Sequence, residues 1–85
     1  MKQFEYVIRD EVGIHARPAG LLAKKAKEFK SEITLEKGGK SAAASKLMAV
    51  MALGVKCGDR VSVTINGDDE EAASAEMEKF FQENL

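Results

Sequence analysis

Cysteine, histidine and proline each occur once in this chain, and tryptophan is absent. The single cysteine, Cys57, cannot form an internal disulfide or a paired-cysteine zinc site. One histidine likewise cannot build the usual metal sites made of several imidazoles. We therefore expect no metal site, and nothing in the sequence indicates a cofactor.

Long hydrophobic runs are also missing. The run from Leu47 to Leu53 carries no charge, but it is far shorter than the roughly 20 residues that a bilayer span needs. The N-terminal residues MKQFEYV lack the apolar stretch of a signal peptide. We expect a cytoplasmic protein without membrane insertion, and its 85 residues suffice for a single domain, residues 1–85.

Charge and aromatic content argue against nucleic acid as a partner. Residues 1–60 hold twelve basic and seven acidic groups, a net charge of +5, whereas residues 61–85 hold one and seven, a net charge of −6. Only five aromatic side chains are available to stack on bases, and three of them fall at helix-periodic core positions. The first part of the chain could attract an acidic partner, but nucleic acid is not expected.

Hydrophobic periodicity predicts the first half of the fold. Phe4, Tyr6 and Ile8 alternate with polar residues, which is typical of a half-buried strand. An amphipathic helix of about four turns follows, beginning near His15 or Ala16, and Pro18 fits its first turn because no acceptor for an N–H exists there. Its expected buried stripe comprises Ala19, Leu22, Ala23, Ala26 and Phe29.

The second half continues the alternation of strands and helices. Gly38 and Gly39 predict a hairpin, and the segment SKLMAVMALG predicts a short helix that ends before Gly54, with Ser41 or Ser45 as its N-cap. A last strand is predicted around Val61, Val63 and Ile65. It is followed by a third helix that starts with a capping box of Asp68 and Glu71 and buries Ala73, Met77, Phe80 and Phe81.

The order βαββαβα predicts an α+β fold, an open-faced sandwich. We expect a four-stranded, mainly antiparallel sheet with all three helices on one face, because the strands alternate between apolar and polar residues.

The segment GIHARPAG, residues 13–20, carries the predicted chemistry. His15 directly precedes a helix whose first N–H groups lack acceptors, so a negative charge on the imidazole would meet the amides of Ala16 and Arg17 and the Arg17 guanidinium. A neutral ring nitrogen also carries a lone pair near pH 7 that can attack phosphorus. We predict a phosphoryl group on His15; the residues alone leave open which ring nitrogen reacts, and an ordinary surface or capping histidine is the alternative.

These motifs resemble the HPr family of phosphocarriers of the phosphoenolpyruvate-dependent sugar phosphotransferase system. The resemblance covers GIHARPA, the GKSA hairpin return, LMAVMALGV and the chain length. It implies the same βαββαβα sandwich, phosphorylation of His15 on Nδ1 by phospho-enzyme I, and transfer to enzyme IIA domains for sugar uptake, with Arg17 steadying the phosphoryl group. It implies a carrier rather than an enzyme, because its own histidine is the substrate of each half-reaction.

The resemblance also implies a docking surface and a question about regulation. Family members dock partners through apolar residues around the histidine and on the second helix, here Gly20, Leu21, Leu47, Met48 and Met51. Many relatives carry a regulatory serine where this chain has Lys46, and Ser45 is one position early. Since one residue turns a helical side chain by about 100°, we expect serine regulation to be absent or altered. The resemblance leaves open whether an HPr kinase or a transcriptional regulator is a partner.

Two other functions stay open at this point. One is a carrier of a paralogous nitrogen-regulatory phosphotransferase branch, which the sequence separates poorly from sugar transport. The other is a non-catalytic binding module on the related ferredoxin-like plan. For the phosphocarrier we expect a monomer.

Overall fold

The protein is described by a computed structural model of residues 1–85. Its seven elements confirm the predicted order. They are β1 (Lys2–Val7), α1 (Ala16–Ala26), β2 (Glu32–Lys37), β3 (Lys40–Ala43), α2 (Leu47–Ala52), β4 (Arg60–Asn66) and α3 (Glu70–Asn84). No helix combines the length and the apolar character needed to cross a bilayer.

The four strands form one sheet in the order β1-β4-β2-β3, and every neighbouring pair is antiparallel. In one row across the sheet Phe4 lies opposite Val63, and Val63 opposite Leu35. The two-residue turn Gly38-Gly39 has φ values of 57° and 83°, the left-handed conformation that a tight hairpin requires. The first and third strands are therefore the edges of the sheet.

The core fills the space between one face of the sheet and the helices. Val61, Val63 and Ile65 of β4 are fully buried, while the alternating residues of that strand are not, which leaves the opposite face polar. Phe81 of α3 packs edge-to-face on Phe4, with ring centroids 5.8 Å apart. This arrangement is the predicted open-faced sandwich.

Helix ends were predicted less well than helix interiors. Helix α1 ends at Ala26, so Phe29 lies beyond it and is only partly buried. The N-cap of α2 is Lys46, without a side-chain capping bond, so the expectation of a serine cap was wrong. Gly54, which follows the end of α2, has the expected left-handed φ of 65°.

The capping box of Asp68 and Glu71 predicted at the start of α3 is also wrong. The amide of Gly67 donates to Oε1 of Glu70 at 3.2 Å, and Asp69, not Asp68, is the N-cap. The carboxylate of Asp69 instead accepts hydrogen bonds from the amides of Lys30 and Ser31, at 2.8 and 2.9 Å, and from the Ser31 hydroxyl. Asp69 therefore fastens the α1–β2 turn to the start of α3.

Asp69 is expected to make the stability of the fold depend on pH. The Ser31 hydroxyl, followed by the Lys30 amide, lowers the pKa of Asp69 below its ordinary value of 3.8. The carboxylate thus stabilises the fold above that pH, and its contribution disappears as the pH falls through the lowered pKa. Asp69→Asn should unfold at a lower temperature than wild type at pH 7, with a difference that shrinks towards pH 2.

Thermal unfolding followed by circular dichroism measures this difference. Asp68→Asn is the matched control, because Asp68 is exposed and its side chain makes no hydrogen bond. Equal unfolding temperatures for Asp69→Asn and wild type at pH 7 would contradict the role assigned to Asp69.

Candidate phosphoryl-acceptor site

His15 is the N-cap of α1, as the position of Pro18 predicted. Its backbone is extended, with φ −120° and ψ −172°, and its carbonyl accepts the first helical bond from the Ala19 amide at 2.9 Å. No side-chain hydrogen bond occupies the imidazole at this cap. The ring is half-buried, so it is neither sealed in the core nor fully in solvent.

The His15 side chain lines a shallow surface concavity of about 240 Å³. Arg17 and Pro18 line it together with His15, and the remaining wall comes from Asp10, Leu21, Glu83 and Asn84. One water takes roughly 30 Å³ in the liquid, so the concavity has room for a phosphoryl group.

Two backbone amides without helical acceptors and one cationic side chain lie directly after His15 in the chain. The amides of Ala16 and Arg17 belong to the first turn of α1, where no helical acceptor precedes them, and Pro18 has no N–H. Arg17 is exposed and forms no ion pair with any carboxylate. His15, Ala16 and Arg17 are consecutive residues at the start of α1, and His15 and Arg17 line the same concavity.

The loop before His15 is held by the segment between α2 and β4. The Ile14 amide donates to the Val55 carbonyl at 3.0 Å, and Gly13 has a φ of 81°. A Cβ on Gly13 would lie 2.6 Å from Cα of Lys56, so only glycine fits there. The Val55 carbonyl therefore holds the backbone of the residue that precedes His15.

The five residues suggested for docking belong to two helices, α1 and α2. Leu47, Met48 and Met51 of α2 are exposed, Met48 at 74%. Only Val50 of that helix is buried. Leu21 is exposed as well, but it lies in the wall of the His15 concavity, next to α3. Gly20 is half-buried and has no neighbour within 4 Å of an added Cβ.

Ser45 and Lys46 have different surroundings. Ser45 is half-buried and lines a separate concavity with Ala26, Phe29 and Ile33, at the far end of α1 from His15. Lys46 is exposed at the N-cap of α2, beside Leu47. The serine hydroxyl and the lysine ammonium therefore do not occupy equivalent positions.

Three residues of the site escaped sequence reasoning. Asp10, Glu83 and Asn84 line the concavity with His15, and two of them come from the last turn of α3. Asp10 lies in the loop before His15, whereas Glu83 and Asn84 approach only where α3 packs beside α1, so no local pattern near His15 could indicate those two. Asp10 and Glu83 add two carboxylates to a site whose predicted residues are all hydrogen-bond donors or the imidazole itself.

No cluster of three or more potential metal ligands is present. The side chains of the concavity include one imidazole, two carboxylates and one amide, spread over three segments of the chain.

Comparison with known proteins agrees with this description. The family model described as "PTS HPr component phosphorylation site" matches residues 2–83. The phosphocarrier protein HPr of Mycoplasma genitalium is 40% identical over 85 residues, covering 99% of this chain and 97% of that protein.

Solved structures show the same fold. HPr-C-His from Thermoanaerobacter tengcongensis is similar with a TM-score of 0.91 and 38% identity, over 96% of this chain and 92% of that one. Bacillus subtilis Crh, described as a swapped, intertwined dimer, has a TM-score of 0.78 and 35% identity, over 100% and 98% of the two chains.

An open-faced βαββαβα sandwich with an accessible histidine at the N-cap of its first helix defines a class of small carrier domains. Within that class the chain belongs to the HPr family, the phosphocarriers of the phosphotransferase system. The resemblance drawn from GIHARPA is confirmed. The alternative of a ferredoxin-like binding module is not supported.

Proposed function

We propose that His15 accepts a phosphoryl group from phospho-enzyme I and passes it to an enzyme IIA domain for sugar uptake. The observation that carries this proposal is the open N-terminus of α1 beside an imidazole with no competing hydrogen bond. In the first half-reaction a ring nitrogen of His15 forms a bond to phosphorus, while the phosphorus–nitrogen bond to the donor breaks and its electron pair returns to the donor. The family resemblance favours Nδ1 as that nitrogen.

The negative charge of a phosphoryl group on His15 would be stabilised here without being buried. The amides of Ala16 and Arg17 would contribute about 0.3–1 kcal/mol through the helix N-terminus, and the Arg17 guanidinium about 1.5–3 kcal/mol. The carboxylates of Asp10 and Glu83 line the same concavity and oppose the added charge. The balance keeps the phosphoryl group transferable, as a carrier requires; the protein is changed and restored in each cycle, and we therefore classify it as a carrier and not an enzyme.

The docking surface is proposed to comprise Gly20, Leu21, Leu47, Met48 and Met51. Support comes from the exposure of four of these side chains around His15 and α2, where methionine can fit successive partners because its thioether repacks at little cost. The basic excess of residues 1–60 suits acidic partner surfaces.

Regulation through Ser45 is inferred to be absent or altered. Ser45 faces the concavity of Ala26 and Phe29, and the exposed N-cap of α2 carries Lys46. Engagement of an HPr kinase or a transcriptional regulator is accordingly not part of the proposal.

We further propose a single domain, residues 1–85, working in the cytoplasm as a monomer. The buried core is one cluster that includes Ile8 near one end and Leu85 at the other. The dimer described for Crh makes the oligomeric state a point to measure, by light scattering of the purified protein.

Incubation with phosphoenolpyruvate and enzyme I tests the proposed function. The protein should gain the mass of one phosphoryl group, labile in acid and stable in base. Subsequent loss of that mass to a sugar-specific enzyme IIA, but not to a nitrogen-regulatory one, would separate the two branches. No gain of mass by the folded protein would contradict the proposal.

Arg17→Gln is expected to slow transfer by roughly 10- to 100-fold, because a charge-assisted contact to the phosphoryl group is lost. Rapid-quench measurement of the phosphorylated fraction gives the rate. Lys24→Gln is the matched control, since it removes an exposed charge from the same helix outside the concavity. Equal slowing by both substitutions would show a general charge effect and contradict a local role for Arg17.

A further inference from the structure

A lysine outside the concavity is connected, through segment 54–59, to the backbone of the phosphoryl-acceptor loop. Lys37, the last residue of β2, donates from Nζ to the carbonyl of Gly54 at 3.1 Å and forms an ion pair with Oδ2 of Asp59 at 3.0 Å. The two partners are the first and last residues of segment 54–59, which joins α2 to β4. One ammonium group thus holds both ends of this segment against the β2–β3 hairpin.

The ion pair is embedded in further hydrogen bonds. Oδ2 of Asp59 also accepts from the Lys56 amide at 2.8 Å, and that bond, followed by the Lys37 contact, lowers the pKa of Asp59. Lys37 and Asp59 side chains are 30% and 32% exposed, in contrast to the looser pair of Arg60 and Glu5, at 70% and 55%. Lys37 also meets the C-terminal end of α2, where a cation is favourable.

Segment 54–59 in turn holds the loop that carries His15. The Val55 carbonyl accepts from the Ile14 amide at 3.0 Å, Ile8 donates to the Asp59 carbonyl at 2.9 Å, and Gly58 donates to the Ile8 carbonyl at 2.8 Å. Exposed Cys57 places its Sγ 3.8 Å from the Arg9 carbonyl. Only one peptide bond separates Gly54 from Val55, and only one separates Ile14 from His15.

We propose that Lys37 is a positioning residue for phosphoryl transfer at His15, acting through Gly54, Val55 and Ile14. The inference rests on the proposed function. Lys37 touches neither the imidazole nor the phosphoryl group; it limits how far the Val55 carbonyl can move and thereby fixes where α1 begins. In-line transfer depends steeply on such placement.

Lys37→Met is expected to lower the maximal rate of transfer from phospho-enzyme I by about threefold to tenfold, within the range seen for residues that act through a packed network. The concentration of protein giving half the maximal rate should stay the same, since the proposed docking residues are untouched. Lys37→Arg, which keeps the cation, should restore most of the rate. Lys30→Met is the matched control, because the Lys30 side chain is exposed and makes no ion pair.

A second measurement separates positioning from simple loss of stability. In Lys37→Met at a temperature where both proteins are folded, amide hydrogen exchange at Ile14 should quicken and the His15 imidazole resonances should shift, whereas the Leu35 and Val63 amides of the sheet should exchange as in wild type. Asp59→Asn should reproduce the effect on the rate, and the double variant should be no slower than the worse single variant.

The outcomes distinguish the two proposals. A wild-type protein that gains no phosphate would overturn the proposed function and with it the role of Lys37. Normal phosphorylation of wild type together with an unchanged maximal rate in Lys37→Met would overturn the role of Lys37 alone. Equal slowing in Lys30→Met, or faster exchange throughout the sheet, would likewise overturn it.

Discussion

Alanine in place of His15 is expected to abolish phosphoryl acceptance completely while leaving the fold intact. The chain has no second imidazole that could take over, and the helix amides and Arg17 hold a phosphoryl group only once a nitrogen has bonded to it. The side chain makes no capping hydrogen bond, so its removal costs the helix no such bond.

Intact-protein mass spectrometry after incubation with phosphoenolpyruvate and enzyme I measures this loss. Urea unfolding should show a change in stability of less than about 1 kcal/mol, typical of a partly exposed position without specific partners. His15→Gln, which keeps a polar side chain but no imidazole, should behave in the same way. Acid-labile phosphate on His15→Ala would place the acceptor elsewhere.

Gly13→Ala is expected to destabilise the protein by about 2–5 kcal/mol. An L residue at the left-handed φ of 81° costs roughly 1–2 kcal/mol. The added methyl group would also press on the Val55 carbonyl and the Lys56 backbone, and forced overpacking of this kind costs about 1–3 kcal/mol more. Because the obstructing atoms are backbone, no rotamer change can relieve the contact.

Urea unfolding of Gly13→Ala measures the stability change, and Gly20→Ala is its control. Gly20 lies inside α1 with open space around an added Cβ, so alanine there should stabilise the helix by about 0.5–1 kcal/mol. The two substitutions add the same methyl group before and after His15, but Gly13→Ala should lower the stability of the protein and Gly20→Ala should raise it. A Gly13→Ala protein as stable as wild type would contradict the close approach of loop and segment 54–59.

Local patterns were sufficient to predict most of the fold. The alternation of Val61, Val63 and Ile65 and the double glycine of the hairpin act over a few residues, and the family resemblance indicated how the elements assemble. Helix ends were less predictable because polar groups from other parts of the chain compete for the hydrogen-bonding groups at a helix end. Asp69, the N-cap of α3, makes no capping bond to its own helix, because its carboxylate accepts the Ser31 hydroxyl and the amides of the α1–β2 turn.

Local patterns likewise predicted one part of the candidate site and missed the other part. His15, Ala16 and Arg17 are adjacent in the chain, and Pro18 indicated where their helix begins. Glu83 reaches the concavity only through the packing of α3 beside α1, and the hold of Val55 on Ile14 depends on a loop with no sequence signature. Contacts of this kind are set by tertiary structure and have no periodicity to detect.

The lone thiol offers a practical use. Cys57 is exposed and unpaired, and it lies in segment 54–59, which is hydrogen-bonded both to the acceptor loop and to the β2–β3 hairpin. A maleimide dye would attach to this atom alone, without any engineered substitution. Its fluorescence would report in real time whether that segment moves when His15 accepts and releases the phosphoryl group.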